Sequence, residues 1–110
     1  MDIEKLNELQ KCLEILRMDD FMEDKDFYTE LILSVIDGSV TPLIKSLQQE
    51  DDTNSKLFKF LTKLDKNLKA IIAIKKRIED NKKFYQHRRI IQQWIKYYEN
   101  GLKDILAEYE

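Results

Sequence analysis

A chain of 110 residues, 43% hydrophobic and 36% charged with two glycines and one proline, has the composition of a single helix-rich domain able to bury its own core. One cysteine, Cys12, excludes an intrachain disulfide and fits a reducing compartment; one histidine, His87, excludes a multi-histidine metal site. The formal charge of −2 conceals a segregation: residues 1–54 carry five Lys/Arg against fourteen Asp/Glu, and residues 55–110 carry fourteen against seven. Either the acidic half folds onto the basic half, or the basic half faces an anionic partner.

Residues 2–18 form the first expected helix. Leu6, Leu9, Leu13 and Leu16 make a narrow stripe with Cys12 beside it; Asp2 and Glu4 lie at the positive end of the helix dipole and Arg17 near the other. Residues 19–24 are a tight acidic connection, after which Asp24 or Asp26 caps a helix over about 25–37. Phe27, Tyr28, Leu31, Ile32, Leu33, Val35 and Ile36 leave that helix apolar on most of its surface, which places it centrally in the core. Gly38 suits the left-handed position that ends a helix, with Val40 closing a Schellman-type contact. Thr41 as N-cap and Pro42 as first helical residue then start a short helix over 41–50, buried through Leu43, Ile44 and Leu47.

After a polar turn, Thr53, Asn54 or Ser55 caps a long helix over 55–80 whose apolar residues are Leu57, Phe60, Leu61, Leu64, Leu68, Ile71, Ile72 and Ile78. A second long helix, 82–109, carries Phe84, Ile91, Trp94, Ile95, Tyr98, Leu102, Ile105 and Tyr109. The two apolar stripes point in different directions if helix runs through residues 80–81. A turn there with Asn81 left-handed resolves the mismatch and makes a hairpin; the competing arrangement is one rod of about fifty residues, which would require a second chain. The expected fold is therefore all-α: a small four-helix-like bundle whose second rod is broken at Gly38–Pro42 and whose C-terminal half is a long helical hairpin.

Catalytic chemistry is not expected. His87 has no second histidine, and Asp19, Asp20, Glu23, Asp24 and Asp26, like Glu50, Asp51 and Asp52, lack the alternating register and central glycine of a calcium loop. Cys12 has acidic neighbours that disfavour its thiolate, and Gly38 and Gly101 are too isolated to cradle phosphate. No cofactor, metal or small-molecule substrate is expected. The apolar runs at 31–36 and 70–74 fall short of the ~20 residues of a membrane span. The opening Met1-Asp2-Ile3-Glu4 also lacks the basic-then-apolar order of a signal peptide, so the expected location is cytoplasmic or nuclear.

Two surfaces remain. Lys56, Lys59, Lys63 and Lys66 form a row opposite the apolar stripe of their helix, rejoined by Arg77; Lys75, Lys76, Lys82, Lys83, Arg88, Arg89 and Lys96 gather around the hairpin tip, with Tyr85 near enough to stack on a base. Ile90, Trp94 and Tyr97 widen the apolar arc of the last helix beyond what one neighbour covers, so either the first helix covers this flank or it is offered to another chain. The expected function is a non-enzymatic interaction module (adaptor, inhibitor or regulatory subunit) that binds another protein or a second copy of itself through the C-terminal helices. The alternative is nucleic-acid or nucleoprotein binding through the basic face of residues 56–96.

Overall fold

The computed structural model describes Ile3–Glu108. Asp2, Tyr109 and the outermost positions expected for the first and last helices lie outside the described residues. The fold is all-α: α1 (Ile3–Leu16), α2 (Asp19–Met22), α3 (Lys25–Val35), α4 (Thr41–Gln49), α5 (Lys56–Arg77), α6 (Asn81–Gln86) and α7 (Arg88–Glu108), with a π turn, Ile36–Val40, between α3 and α4. Four rods result. α1 lies along α7, α7 along α5, α5 along the α3–α4 rod, and that rod returns to α1. Leu6, Leu9, Leu13 and Leu16 of α1 meet Leu57, Leu61, Leu64, Leu68 and Ile71 of α5 and Ile91, Ile95, Leu102 and Ile105 of α7 in one continuous apolar core.

The second rod is not broken. Helical dihedrals run through Gly38, Val40 and Thr41, no glycine has positive φ, and the Thr41 amide donates to the Ile36 carbonyl five residues back. The π turn explains how Pro42 is tolerated: proline has no N–H to give and its ring would strike the carbonyl four residues earlier, while a wider turn makes room. Thr41 is therefore not an N-cap, and Gly38 is not a helix stop. The Schellman geometry occurs instead at the end of α4. Asp51 is left-handed (φ 58°), its amide donates to Gln48 O at 3.1 Å, and the Asp52 amide donates to Leu47 O at 2.9 Å.

Because the rod is continuous, Lys25–Gln49 is by length and composition alone long and apolar enough to cross a membrane, which the shorter expected helices were not. In the bundle its Tyr28, Ile32, Ile36, Val40, Leu43 and Leu47 are buried. It is less enclosed than expected, since Phe27 and Leu33 stay exposed.

The long helices do form an antiparallel hairpin, through a different junction. α5 ends at Arg77, Ile78 and Asp80 are extended, and the Asp80 carboxylate caps α6 by accepting from the Lys82 amide at 2.9 Å. Asn81 is helical rather than left-handed, and its side chain accepts from the Lys25 amide at 3.2 Å, tying the tip to the start of α3. The short α6 exists because Phe84 closes the end of the core, its ring 6.1 Å from that of Tyr28. The acidic connection at 19–24 likewise contains a helical turn, which places Met22 fully in the core. Asp24 caps α3 and Ser55 caps α5, as their sequence positions suggest.

Candidate docking surface along the last helix

Amphipathic spacing orients α7. Ile91, Ile95, Tyr98, Leu102, Ile105 and Leu106 point into the bundle, and Glu99 joins them on the side facing α1. Glu99 is only 3% exposed, and Arg17 at the end of α1 grips it in a fork, Nε to Oε2 at 2.7 Å and Nη2 to Oε1 at 3.2 Å. The carboxylate holds the Arg17 guanidinium above its usual range, chiefly through this hydrogen bond. Gln92 donates to Arg17 O at 2.9 Å and to the Asp19 carboxylate, completing a polar seam between α1 and α7. Sequence reasoning missed Glu99; the available signal was its place in line with Ile95, Leu102 and Leu106.

α1 therefore occupies the Glu99 side of α7 and leaves the aromatic flank uncovered. Ile90, Trp94 and Tyr97, one turn apart, are 50%, 41% and 70% exposed. Trp94 is thus a surface residue rather than a member of the core stripe. The Tyr97 ring is braced edge-on by Tyr98 at 5.3 Å, and Tyr98 meets Phe60 at 5.7 Å and accepts a hydrogen bond from Asn67. Burial and the neighbouring Tyr97 raise the Tyr98 phenol above its ordinary range.

Two grooves follow the α5–α7 seam beside this flank. One, about 360 Å³, is walled by Ile74, Arg77, Ile78, His87, Ile90, Ile91 and Trp94. The other, about 400 Å³, continues past Tyr97 between Lys56, Lys59, Phe60 and Lys63 on α5 and Asn100, Gly101, Asp104 and Ile105 on α7. Gly101 permits its tightness, because a Cβ there would sit 3.1 Å from the Phe60 ring. On the other side of α7, Arg89, Gln93 and Lys96 line a third, polar depression with Arg17 and Gln92.

The cations are unevenly employed. Lys56 pairs with Glu108 at 3.1 Å, Lys69 with Asp65 at 2.9 Å, and Lys75 with Asp26 at 3.0 Å, which draws the Asp26 carboxyl below its usual range. Arg88 folds back over Tyr85, its guanidinium carbon 4.1 Å from the ring centre, and donates to Tyr85 O at 3.1 Å. One face of Tyr85 is therefore already occupied, which weakens the base-stacking expectation. Lys59, Lys63, Lys66, Lys76, Arg77, Lys82, Lys83, Arg89 and Lys96 have no ion pair or hydrogen bond through their side chains among the described residues. Lys59 and Lys63 edge the groove beside Tyr97, whereas Lys66, further along the same row, is exposed and does not line it. Lys75–Asp26 is the one ion pair, among the described residues, between a cation of 56–96 and the acidic half, so folding leaves most of the charge segregation on the surface.

The remaining chemical candidates stay apart. His87 is an exposed turn residue between α6 and α7 at the rim of the apolar groove. Cys12 is half-buried beside Ile15, Leu16, Leu31 and Val35, and burial together with Glu8 raises its thiol above the usual range. Among the described residues no three His, Cys, Asp or Glu side chains converge where a metal ion could sit. Comparisons of the chain with protein-family models, with curated proteins and with solved structures find no match.

Proposed function

We propose that this protein is a non-enzymatic interaction module that docks another protein chain along the α5–α7 seam, with Ile90, Trp94 and Tyr97 as the anchors. The observation that carries the proposal is the exposure of these three large side chains in one stripe, beside grooves, on a helix whose other face is fully engaged. Single exposed apolar residues are ordinary, but a contiguous aromatic stripe with a groove beside it has the make-up of an interface hot spot. The unpaired cations along both edges favour an acidic counterpart. Adaptor, inhibitor and regulatory subunit are all roles such a module fills.

Sedimentation velocity and far-UV circular dichroism on wild type, Trp94→Ala and Tyr97→Ala test the proposal. Weakened association with unchanged helicity is the expected outcome. If both variants instead lose helicity, the flank belongs to the core and the proposal fails.

One observation favours nucleic-acid binding as a second reading: Lys59 and Lys63 stand beside Tyr97, the most exposed aromatic among the described residues. Titration with single-stranded DNA or RNA at several salt concentrations separates the two readings. Affinity that falls steeply with salt and disappears on charge reversal at Lys82, Lys83, Arg88 and Arg89 supports it; a flat salt response removes it.

A further inference from the structure

The α5–α7 seam is framed by two regular rows. Lys56, Phe60, Lys63, Ile74 and Arg77 of α5 line its two grooves. Asn67, which reaches across to Tyr98, and the exposed Ala70 fall in the same row between them. Ile90, Trp94, Tyr97, Gly101 and Asp104 form the facing row on α7. Both rows advance by alternating steps of four and three residues. That spacing keeps side chains on one side of a helix, and on two adjacent helices at once it frames a channel for a third. From Ile90 to Asp104 the channel is about 21 Å long, the length of about four helical turns. Its relief can take the side chains of such a helix. Gly101 leaves a notch over Phe60, Ala70 adds no bulk midway, and Ile74, Ile78 and Ile91 line the hollow beside Trp94.

Resting on the docking surface proposed above, we infer that its occupant is an amphipathic α-helix of another protein, with apolar residues at three-four spacing and carboxylates along the flank that faces α5. The charge of the channel is one-sided. Its Lys and Arg residues, Lys56, Lys59, Lys63 and Arg77, all stand on α5, and of these only Lys56 is held in an ion pair among the described residues. The α7 border offers Asn100 and Asp104 instead, while Arg89 and Lys96 line the polar depression on the other side of that helix. A seated helix therefore gains from carboxylates toward α5 and loses from them toward Asp104. The same asymmetry disfavours a second copy of this chain. Two seams laid face to face would bring together both sets of cations, with Asp104 the one carboxylate lining the grooves to answer them. A nucleic acid would match the cations but not the isoleucine walls beside Trp94.

Synthetic peptides of about three heptads test the inference. One carries leucines at the alternating spacing and glutamates along one flank; a second has lysines in place of the glutamates; a third has the composition of the first with its leucines out of register. Binding is read from the anisotropy of the labelled peptide and from the emission of Trp94, the single tryptophan, which a seated helix covers. The glutamate peptide is expected to bind, to shift Trp94 emission to the blue, and to weaken about tenfold between ~50 mM and ~500 mM NaCl. The lysine peptide is expected to bind about tenfold more weakly, and the out-of-register peptide not at all. In Lys59→Glu/Lys63→Glu the order of the first two peptides is expected to reverse, an outcome that a misfolded variant cannot give. Ala70→Glu is expected to stay helical by circular dichroism and to lose the glutamate peptide. If glutamate and lysine peptides bind equally, and Trp94→Ala abolishes both, the inference is overturned and the docking flank stands. No binding of any peptide up to ~1 mM at ~50 mM NaCl also overturns the inference, and the sedimentation experiment on Trp94→Ala and Tyr97→Ala then decides the flank by itself. A single-stranded oligonucleotide that changes Trp94 emission at lower concentration than the glutamate peptide assigns the seam to nucleic acid and overturns both.

Discussion

The end of a helix can be located by moving a glycine. Gly38 has helical backbone, is exposed, and has nothing within 4 Å of where a Cβ would stand. Replacing it with alanine removes the backbone entropy that glycine loses in a helix, about 0.5–1 kcal/mol, with no steric penalty to set against it. Asp51, by contrast, holds the left-handed conformation in the Schellman turn after α4, with φ of 58°. Asp51→Gly removes the Cβ strain of that conformation, and after glycine's own entropic cost about 0.5 kcal/mol of stabilisation remains. The sites share no contact, so the gains are additive and total about 1–1.5 kcal/mol. With an unfolding entropy of about 2.1 cal/mol/K per residue, that raises Tm by roughly 4–7 °C in the double variant. Thermal melts and urea titrations of the two single variants and the double provide the measurement. A Gly38→Ala protein less stable than wild type would refute the reasoning, because only a left-handed Gly38 penalises a Cβ there.

Three further outcomes follow from the packing. Arg17→Met leaves the Glu99 carboxylate buried without a partner; removing one member of a buried pair costs about 3–5 kcal/mol, which the partial exposure of Arg17 reduces to about 2–3. The double variant Arg17→Met/Glu99→Leu is expected to recover to within about 1 kcal/mol of wild type in urea titrations, and a double variant as unstable as the single would refute the pairing. The Tyr28 hydroxyl donates to Leu16 O at 2.6 Å in the core, so Tyr28→Phe orphans that carbonyl and is expected to cost about 1–2 kcal/mol. Burial also pushes the Tyr28 phenol above its ordinary value of about 10, so the stability tied to it is complete below about pH 10 and lost as pH rises further. Urea midpoints between about pH 9 and pH 11 should therefore fall more steeply for wild type than for Tyr28→Phe. With its thiol raised by burial and by Glu8, Cys12 is expected to react with a disulfide reagent about tenfold more slowly in the native protein than in denaturant, and equal rates would contradict its placement.

Periodicity carried most of the fold, because a three-four spacing of leucine and isoleucine is itself the geometry of a buried helix face. The stripes of α1, α5 and α7 are legible for that reason, and so is the all-α bundle. Local rules failed where two of them competed. Gly38 and Pro42 are both stop signals, yet continuing the rod keeps Ile36, Val40, Leu43 and Leu47 in one core, and a π turn makes room for the proline. Asn81 is by residue type suited to a left-handed turn, but Asp80 one position earlier supplies a helix cap, and a capped α6 buries Phe84. The basic row and aromatic flank were legible as compositions. Their meeting around the α5–α7 grooves was not, since that depends on how α5 is rotated against α7. The Arg17–Glu99 fork, eighty-two positions apart in the chain, lies outside any local pattern.

The surviving charge segregation has to be explained by something other than stability. An exposed ion pair contributes about 0–1 kcal/mol, and the one pair joining a cation of 56–96 to the acidic half, Lys75–Asp26, has an exposed carboxylate. Thirteen cations concentrated in residues 56–96 repel one another in the folded state, a cost that interspersed charges would avoid. A bundle whose only task was to fold would gain from mixing the two signs. What segregation does supply, under the docking role proposed above, is orientation at a distance: within a Debye length of about 8 Å at physiological salt, the basic face of residues 56–96 turns an acidic partner before contact.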